Sequence, residues 1–526
     1  MNTIVAISPI VILIWLMTKK NSMPSHRALP LVALLLYLLK ILYFGSDFKL
    51  MNATVINGLL TAWTPILVIW GAIFLFRTME NTGAMKTIRE WLNGITNNKV
   101  AQLMIIGWAF AFLIEGASGF GTPAALAAPL LVGLGFPALN VAILTLMMNS
   151  VPVTFGAVGT PIWFGLGQLG LTETQLLEIG MKSSVVHGVA ALVIPIIALR
   201  FVVQTKEIKQ NIIFVYLSIL SCTIPYVLLA QVGYEFPAVI GGFIGLIFSV
   251  WLAKCGIGLK RSQKTKPAKF TFGQIAKATF PLWGTIAILL ITRIKEIGLK
   301  AILNSTQYVF TLSLQPVTDF LISSALVLQF NNILGTGTNF SHALLYVPSI
   351  IPFFLISFIA FLIYKKAKVV RKSWSQSWQR MKKPIIALLA ALAFVKLLLV
   401  DGNQSLSMII GQSLADLTGT YWQYFASYLG GLGSFFSGSN TVSNLTFGGI
   451  QQSIAASLGL NLTTILALQS VGGAMGNMIC INNIVAVCSV LGLTNVEGKI
   501  LKKTILPMIL YGIIAGIISL FIGQII

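Results

Sequence analysis

One carboxylate, Glu115, stands in the run FLIEGASGFGTP (112–123), where an apolar stretch meets a glycine-rich break. Counted from Lys99 at ~1.5 Å per helical residue, Glu115 lies roughly 24 Å along a span, within a hydrocarbon core of ~30 Å. An acid at that depth costs on the order of 3 kcal/mol and is tolerated beside a partner or a water-filled cavity. A carboxyl group withdrawn from water favours its neutral form, which brings proton exchange within reach of cellular pH. Glu115 is therefore read as a proton carrier; the competing reading is an ionised structural carboxylate bonded to the glycine-rich turn beside it. His187, in SSVVHGVAALVIP, is the second candidate for proton coupling. Its imidazole titrates in the right range, but a lone histidine on an apolar helix more often only holds a hydrogen bond.

The break itself offers anion chemistry. Gly116, Gly119 and Gly121 permit backbone conformations closed to other residues, and Pro123 suits the first turn of a following helix. A helix N-terminus at membrane depth presents open N–H groups and a positive dipole end to a small anion, with the Ser118 and Thr122 hydroxyls as further donors. A second polar break, SGSNTVSN at 437–444, supplies Ser437, Ser439, Asn440, Thr441, Ser443 and Asn444. Small residues also allow close helix packing, the favoured reading for an isolated glycine. Six polar side chains in eight residues favour a site. Asn149, Thr154 and Thr160 in NSVPVTFGAVGTP, and Asn477, Asn482 and Asn483 in GNMICINN, either coordinate substrate or satisfy broken-helix carbonyls. Arg293 and Lys396 are read as snorkelling cations, with pairing to a substrate carboxylate as the alternative. Asp319 and Asp416 are read as interfacial.

The elements that must position these groups are membrane spans. The chain has 526 residues, 56% apolar and 9% charged. Apolar runs near 3–18, 28–44, 55–77, 183–203, 211–230, 236–255, 344–364, 384–400, 464–490 and 504–525, together with ambiguous ones, give about 12–14 spans. The runs lack the period-2 alternation of a barrel, so the expected fold is all-α: a polytopic transmembrane helical transporter with re-entrant or broken helices. The net charge of +22 is scattered between spans, which fits the positive-inside rule and excludes a nucleic-acid reading. Residues 254–277 hold seven Lys or Arg and 365–383 hold eight, with no acid in either, so both loops are expected inside. Lys19, Lys20 and Arg27 follow the first apolar run, which reads as an uncleaved span with the N-terminus outside. Cys222, Cys255, Cys480 and Cys488 show no metal-type spacing and no disulfide framework. No HExxH, Walker A or GxSxG pattern is present, so neither an enzyme nor an ATP-driven pump is expected, and no cofactor.

Two stretches resemble each other. One runs from 116–123 through LVGLGFPALNVAILTL to Gly156-Ala157-Val158-Gly159; the other from 437–444 through AASLGLNLTTILAL to Gly473-Ala474-Met475-Gly476. Charge counting brings the two breaks in from opposite faces, the pattern of an inverted-topology repeat that works by alternating access. Residues 123–135 and 445–458 are short, roughly 20 Å as helix against ~30 Å needed to cross. The expected organisation is 1–98, N-terminal spans; 99–203, first repeat; 204–383, connecting spans with basic loops; and 384–526, second repeat with a C-terminal span.

The segments EGASGFGTPAALAAPLLVGLGFP, NSVPVTFGAVGTPIWFG, GSNTVSN and VGGAMGNMICINNIVA resemble the L-lactate permease family over essentially the whole chain. The resemblance implies a bacterial plasma-membrane symporter moving L-lactate, and also D-lactate or glycolate, with a proton. It also implies that an Asp can occupy the place of Asn440, a departure that puts more of the coupling on Glu115. The physics agrees: a lone anion entering a negative-inside cell works against ~2.3 kcal/mol per 100 mV, which one proton cancels. The expected partners are a 2-hydroxy monocarboxylate, a proton and the lipid bilayer, with the oligomeric state open. The alternatives are a sodium-coupled carrier for another small carboxylate and an anion channel.

Overall fold

In a bilayer every backbone polar group must be satisfied within the protein, and this chain does so almost entirely with helices. The computed structural model describes residues 2–18, 23–119, 122–260, 270–293, 297–314, 316–347, 350–493 and 496–525. Among the described residues, seven helices are long and apolar enough to cross a membrane, and the bent pair Ala138–Met148 with Pro152–Leu169 makes up to eight. Other runs marked in the sequence form shorter or more polar helices. The first run gives the short apolar helix Asn2–Leu13, and the 384–400 run is the second half of Val370–Leu399, whose first half is basic. The chain is thus a helical, multi-pass membrane protein. It divides into two compact units, Met1–Lys86 with Ala276–Ile410, and Thr87–Ile275 with Gly411–Ile526.

In the first unit the helices Ser25–Leu42, Phe48–Thr61 and Val370–Leu399 pack together. Gly58 allows this, since a Cβ there would stand 2.7 Å from the Ala393 Cα. Buried Lys40 pairs with Asp401, in the turn after Val370–Leu399. This unit also carries an antiparallel sheet in the order β1 (Tyr308–Leu314), β2 (Thr318–Ser323), β3 (Val327–Ile333), β4 (Thr338–Ala343). Its register aligns Leu312, Phe320, Phe330 and Phe340 in one rank. The sheet is an addition to the helical expectation. Its short alternating strands are too polar to register as spans, and only cross-strand pairing reveals their shared apolar face.

The second unit holds the sequence-marked breaks. Its helices are α1 (Lys99–Ser118), α2 (Thr122–Gly133), α3 (Ala138–Met148), α4 (Glu173–Ala191), α5 (Ile212–Leu229) and α6 (Pro237–Cys255). After the first unit's insertion come α7 (Trp422–Ser437), α8 (Asn440–Leu458), α9 (Leu462–Gly476), α10 (Ile481–Leu491) and α11 (Glu497–Ile525). The order helix, break, helix, tight turn, helix, 3₁₀ turn, helix occurs twice, once from α1 and once from α7. Polar and cation–ring contacts tie helix ends of the unit together. Asn211 Oδ1 accepts from Asn98 Nδ2 and from the Lys260 N–H, both at 2.9 Å, and the Lys503 ammonium lies 5.8 Å from the Phe201 ring centre.

Glycine seams hold the helices close. A Cβ on Gly116 would overlap the Val239 backbone of α6, and one on Gly242 would overlap Leu113 of α1. Between α7 and α9, a Cβ on Gly472 would strike the Ser427 carbonyl and one on Gly476 the Gly431 carbonyl. Backbone on both sides leaves no rotamer to yield, so overpacking of this kind costs at least ~1–3 kcal/mol. Gly472→Ala is therefore expected to lower the detergent-solubilised Tm by several degrees, while Gly498→Ala, with open space around it, leaves it unchanged. A differential scanning fluorimetry comparison checks this.

Candidate functional site

The first break follows Ser118. Gly119 takes φ +62°, in the region that favours glycine, and its N–H still bonds the Glu115 carbonyl at 2.9 Å. The chain re-enters helix at Thr122, with Pro123 in the first turn as expected. The second break turns at Gly438, φ +76°. Ser439 then caps α8, its hydroxyl accepting from the Val442 N–H at 3.3 Å. The Asn440 and Thr441 N–H groups are left at the helix end with no intrahelical acceptor.

The two breaks meet. Among the described residues, a cavity of about 10 Å³ is lined on one side by Glu115, Gly119, Val153, Gly156, Ala157 and Pro161, and on the other by Gly438, Ser439, Asn440, Thr441 and Asn477. That is roughly room for one water molecule, too little for a three-carbon acid. Glu115 is 1% exposed. Its Oε2 accepts from Asn149 Nδ2 at 3.0 Å, and no cation pairs with it among the described residues. Its Oε1 would lie 2.5 Å from a Cβ on Gly156, so that glycine leaves the carboxyl its space.

The cavity wall contains an unusual turn. Ala157, Val158 and Gly159 are all left-handed, at φ 45°, 58° and 70°. A β-branched residue in that region is an outlier, and such conformations cost about 1–3 kcal/mol each and cluster at functional sites. Local bonds hold the turn: Thr160 Oγ1 donates to the Ala157 carbonyl, and Trp163 Nε1 to the Val158 carbonyl at 2.9 Å. At Gly159 a Cβ would overlap the Tyr234 carbonyl.

Behind the cavity a buried polar network joins the segments around the two breaks. Thr154 Oγ1 is 2.7 Å from His187 Nε2 and donates to the Ser470 carbonyl at 3.3 Å. Ser470 also accepts Asn440 Nδ2 at its carbonyl, 3.0 Å, and Asn444 Nδ2 at its hydroxyl, 3.2 Å. Asn444 Nδ2 reaches across to the Pro161 carbonyl at 2.9 Å, a group that a mid-membrane break would otherwise leave bare. Gln469 Nε2 donates to the Ser443 hydroxyl at 3.0 Å, and that hydroxyl donates to the Gly430 carbonyl at 2.7 Å.

The sequence-marked residues thus separate. Glu115, Gly119, Ser439, Asn440, Thr441 and Asn477 line the cavity. Asn149, Thr160, Ser443 and Asn444 are buried supports one layer back. Ser118 and Ser437 donate to carbonyls of their own helices, Ile114 and Gly433, both at 2.8 Å. Gly116 does not line the cavity; it serves the packing of α1 on α6. Asn482 is exposed, while Asn483 donates to Asn477. Gly121, the Thr122 side chain and the Arg293 side chain lie outside the described residues. His187 bridges Thr154 and Tyr511 and does not line the cavity. Asp319 accepts from Ser313 on the neighbouring strand and Asp416 from Gln412.

Several participants carry no local sequence signal. Ser470, Gln469 and Tyr511 are ordinary residues of apolar helices and acquire roles only through distant partners. Lys182, fully buried, joins Asn461, Thr463 and Thr464 at the start of α9, with Glu178 at 2.7 Å. Only the i,i+4 spacing of Glu178 and Lys182 could have flagged that cluster.

A sequence profile of the L-lactate permease family matches residues 2–526. The chain is 51% identical over 524 residues to a putative L-lactate permease of Haemophilus influenzae, covering 99% of this chain and 98% of that protein. It is 28% identical to the L-lactate permease of Bacillus subtilis (96% and 93% covered) and 25% identical to the glycolate permease GlcA of Escherichia coli (99% and 95%). Two solved transporters align along most of their length at low similarity. They are MtrF of Neisseria gonorrhoeae (TM-score 0.45, 14% identity, 97% and 96% covered) and YdaH of Alcanivorax borkumensis (0.44, 13%, 98% and 97%). The family match runs unbroken through both breaks, the cavity they enclose and the network behind it: this chain belongs to the L-lactate permease family.

Proposed function

We propose that this protein carries L-lactate, and related small 2-hydroxy monocarboxylates such as D-lactate and glycolate, across a bacterial cell membrane together with one proton. The observation that carries this reading is Glu115, a carboxyl group buried in the cavity wall with an amide, and no cation, as its partner among the described residues. Ionised, it would be an uncompensated charge at membrane depth; protonated, it fits. The relatives named for lactate and glycolate support the substrate class.

The site's parts divide the work. The open N–H groups at the start of α8 receive the substrate carboxylate, as helix N-termini receive anions. An ionised Glu115 would repel that carboxylate across a narrow cavity. Substrate and proton therefore favour each other's binding, and the pair moves no net charge. By linkage, the factor by which a proton tightens lactate binding equals the factor by which lactate tightens proton binding.

Alternating access is supported by the doubled element order and by the breaks that face each other across the cavity. The positive-inside rule supports a cytoplasmic side for the basic loops 254–277 and 365–383 and, from Lys19, Lys20 and Arg27 after the first apolar run, an outside N-terminus. A cavity of about 10 Å³ is too small for lactate, so in this scheme lactate binds only once the site widens. His187, held on both ring nitrogens by Thr154 and Tyr511, is a support in this scheme.

In proteoliposomes, Glu115→Gln is expected to abolish lactate-driven proton uptake while lactate–lactate exchange continues; normal coupling in this variant would make Glu115 structural and His187 the next suspect. Lactate binding to the purified protein should tighten up to tenfold for each pH unit lowered while Glu115 is ionised and level off once it is protonated, and Glu115→Gln should flatten that slope, as isothermal titration from about pH 6 to pH 10 would record. Uptake should be unchanged when choline replaces sodium. A sodium requirement would point instead to a sodium-coupled carrier.

A further inference from the structure

Two amide oxygens near the cavity, Asn149 Oδ1 and Asn440 Oδ1, are buried with no hydrogen-bond donor among the described residues. A buried acceptor left unpaired costs about 1–3 kcal/mol, so each calls for an explanation, and the two differ. Asn149 bonds Glu115 through Nδ2. Turned over, the same amide would offer Oδ1 to a protonated Glu115, so it serves both protonation states of the carboxyl group. Asn440 has no such freedom. Its Nδ2 donates to the Ser470 carbonyl at 3.0 Å and to the Ser470 hydroxyl at 3.4 Å. Reversal would set Oδ1 against a carbonyl oxygen, acceptor against acceptor.

The orientation of Asn440 is therefore fixed, with its oxygen set against Gly473 and lacking a donor among the described residues. Asn440 is 2% exposed and lines the cavity. Gly473 gives the oxygen its place, because a Cβ there would overlap Oδ1. A carboxylate has no proton to give. The donor that a 2-hydroxy acid brings is its hydroxyl, on the carbon next to the carboxylate. The backbone N–H without an intrahelical acceptor at the start of α8 and the amide oxygen that lacks a donor belong to the same residue.

We propose that Asn440 Oδ1 accepts the substrate's 2-hydroxyl while the start of α8 holds the carboxylate, which makes Asn440 the residue that separates 2-hydroxy acids from 2-keto and unsubstituted acids. The assignment rests on the monocarboxylate reading above. It reads the hydroxyl and ignores the substituent on that carbon, so glycolate and lactate satisfy it alike. An analogue without the hydroxyl leaves the oxygen unpaired and loses on the order of tenfold or more in affinity.

The test is competition against labelled lactate counterflow in proteoliposomes, with glycolate, propionate and pyruvate as competitors. The intact protein should prefer glycolate over propionate and pyruvate by at least about tenfold. Asn440→Ala should weaken lactate and glycolate by about that factor more than it weakens propionate, so that the preference disappears. Gly473→Ala, which displaces the amide oxygen, should erode the same preference. Equal loss for hydroxylated and unsubstituted acids in Asn440→Ala would overturn the assignment. So would an intact protein that does not distinguish lactate from propionate, a result that needs no variant to fold. An intact protein that carries no monocarboxylate would instead overturn the substrate reading itself, and the assignment with it.

Discussion

A helix that breaks inside a bilayer bares N–H and C=O groups that lipid cannot satisfy, and most of the unusual features of the second unit answer to that constraint. Ser439 takes the N–H of Val442, Asn444 takes the carbonyl of Pro161, and Thr154 takes the carbonyl of Ser470. Thr160 and Trp163 occupy the carbonyls of the left-handed turn at Ala157 and Val158. These side chains are the condition for having irregular backbone at depth at all. Among the described residues, the polar groups that these bonds leave over at the cavity include the start of α8 and the amide oxygen of Asn440.

The same constraint explains what the sequence made legible. A lone acid in an apolar run and a dense polar break are visible because they violate the composition around them, and Glu115, Ser439, Asn440 and Thr441 do converge on one cavity. The helical class followed from the apolar runs. Hidden from a linear reading were the partners supplied from far along the chain. Ser470 lies 316 residues from Thr154 and Tyr511 lies 324 from His187, and neither stands out within its own helix. Gly116 shows the converse error of proximity: it adjoins Glu115 in the chain, yet its small size is spent on contact with α6. The left-handed geometry of Ala157 and Val158 was also unreadable, because local propensity argues against it and only tertiary contacts enforce it. The β-sheet of the first unit escaped because its strands are short and their apolar face exists only across strands.

Division of labour between neighbouring residues is a recurring theme. Asn440 and Asn444 are one helical turn apart on α8 and both donate to Ser470. Asn444 spends its remaining capacity on Pro161 and on Gln469, whereas Asn440 keeps an oxygen in reserve. Residues of the same type in the same break thus divide into one that holds the architecture and one that is free to recognise a ligand.

The seam between α7 and α9 has a mechanical consequence. With Gly472 and Gly476 seated against the carbonyls of Ser427 and Gly431, the two helices meet main chain to main chain, with no side chains between them to act as a lubricating layer. Sliding one past the other would drive backbone into backbone, so the pair is stiff in shear. Softer joints are the hydrogen bonds from Thr154 to Ser470 and from Asn444 to Pro161, which can exchange partners without steric collision. The glycine seam thus resists sliding, a keel beside the polar contacts around the cavity.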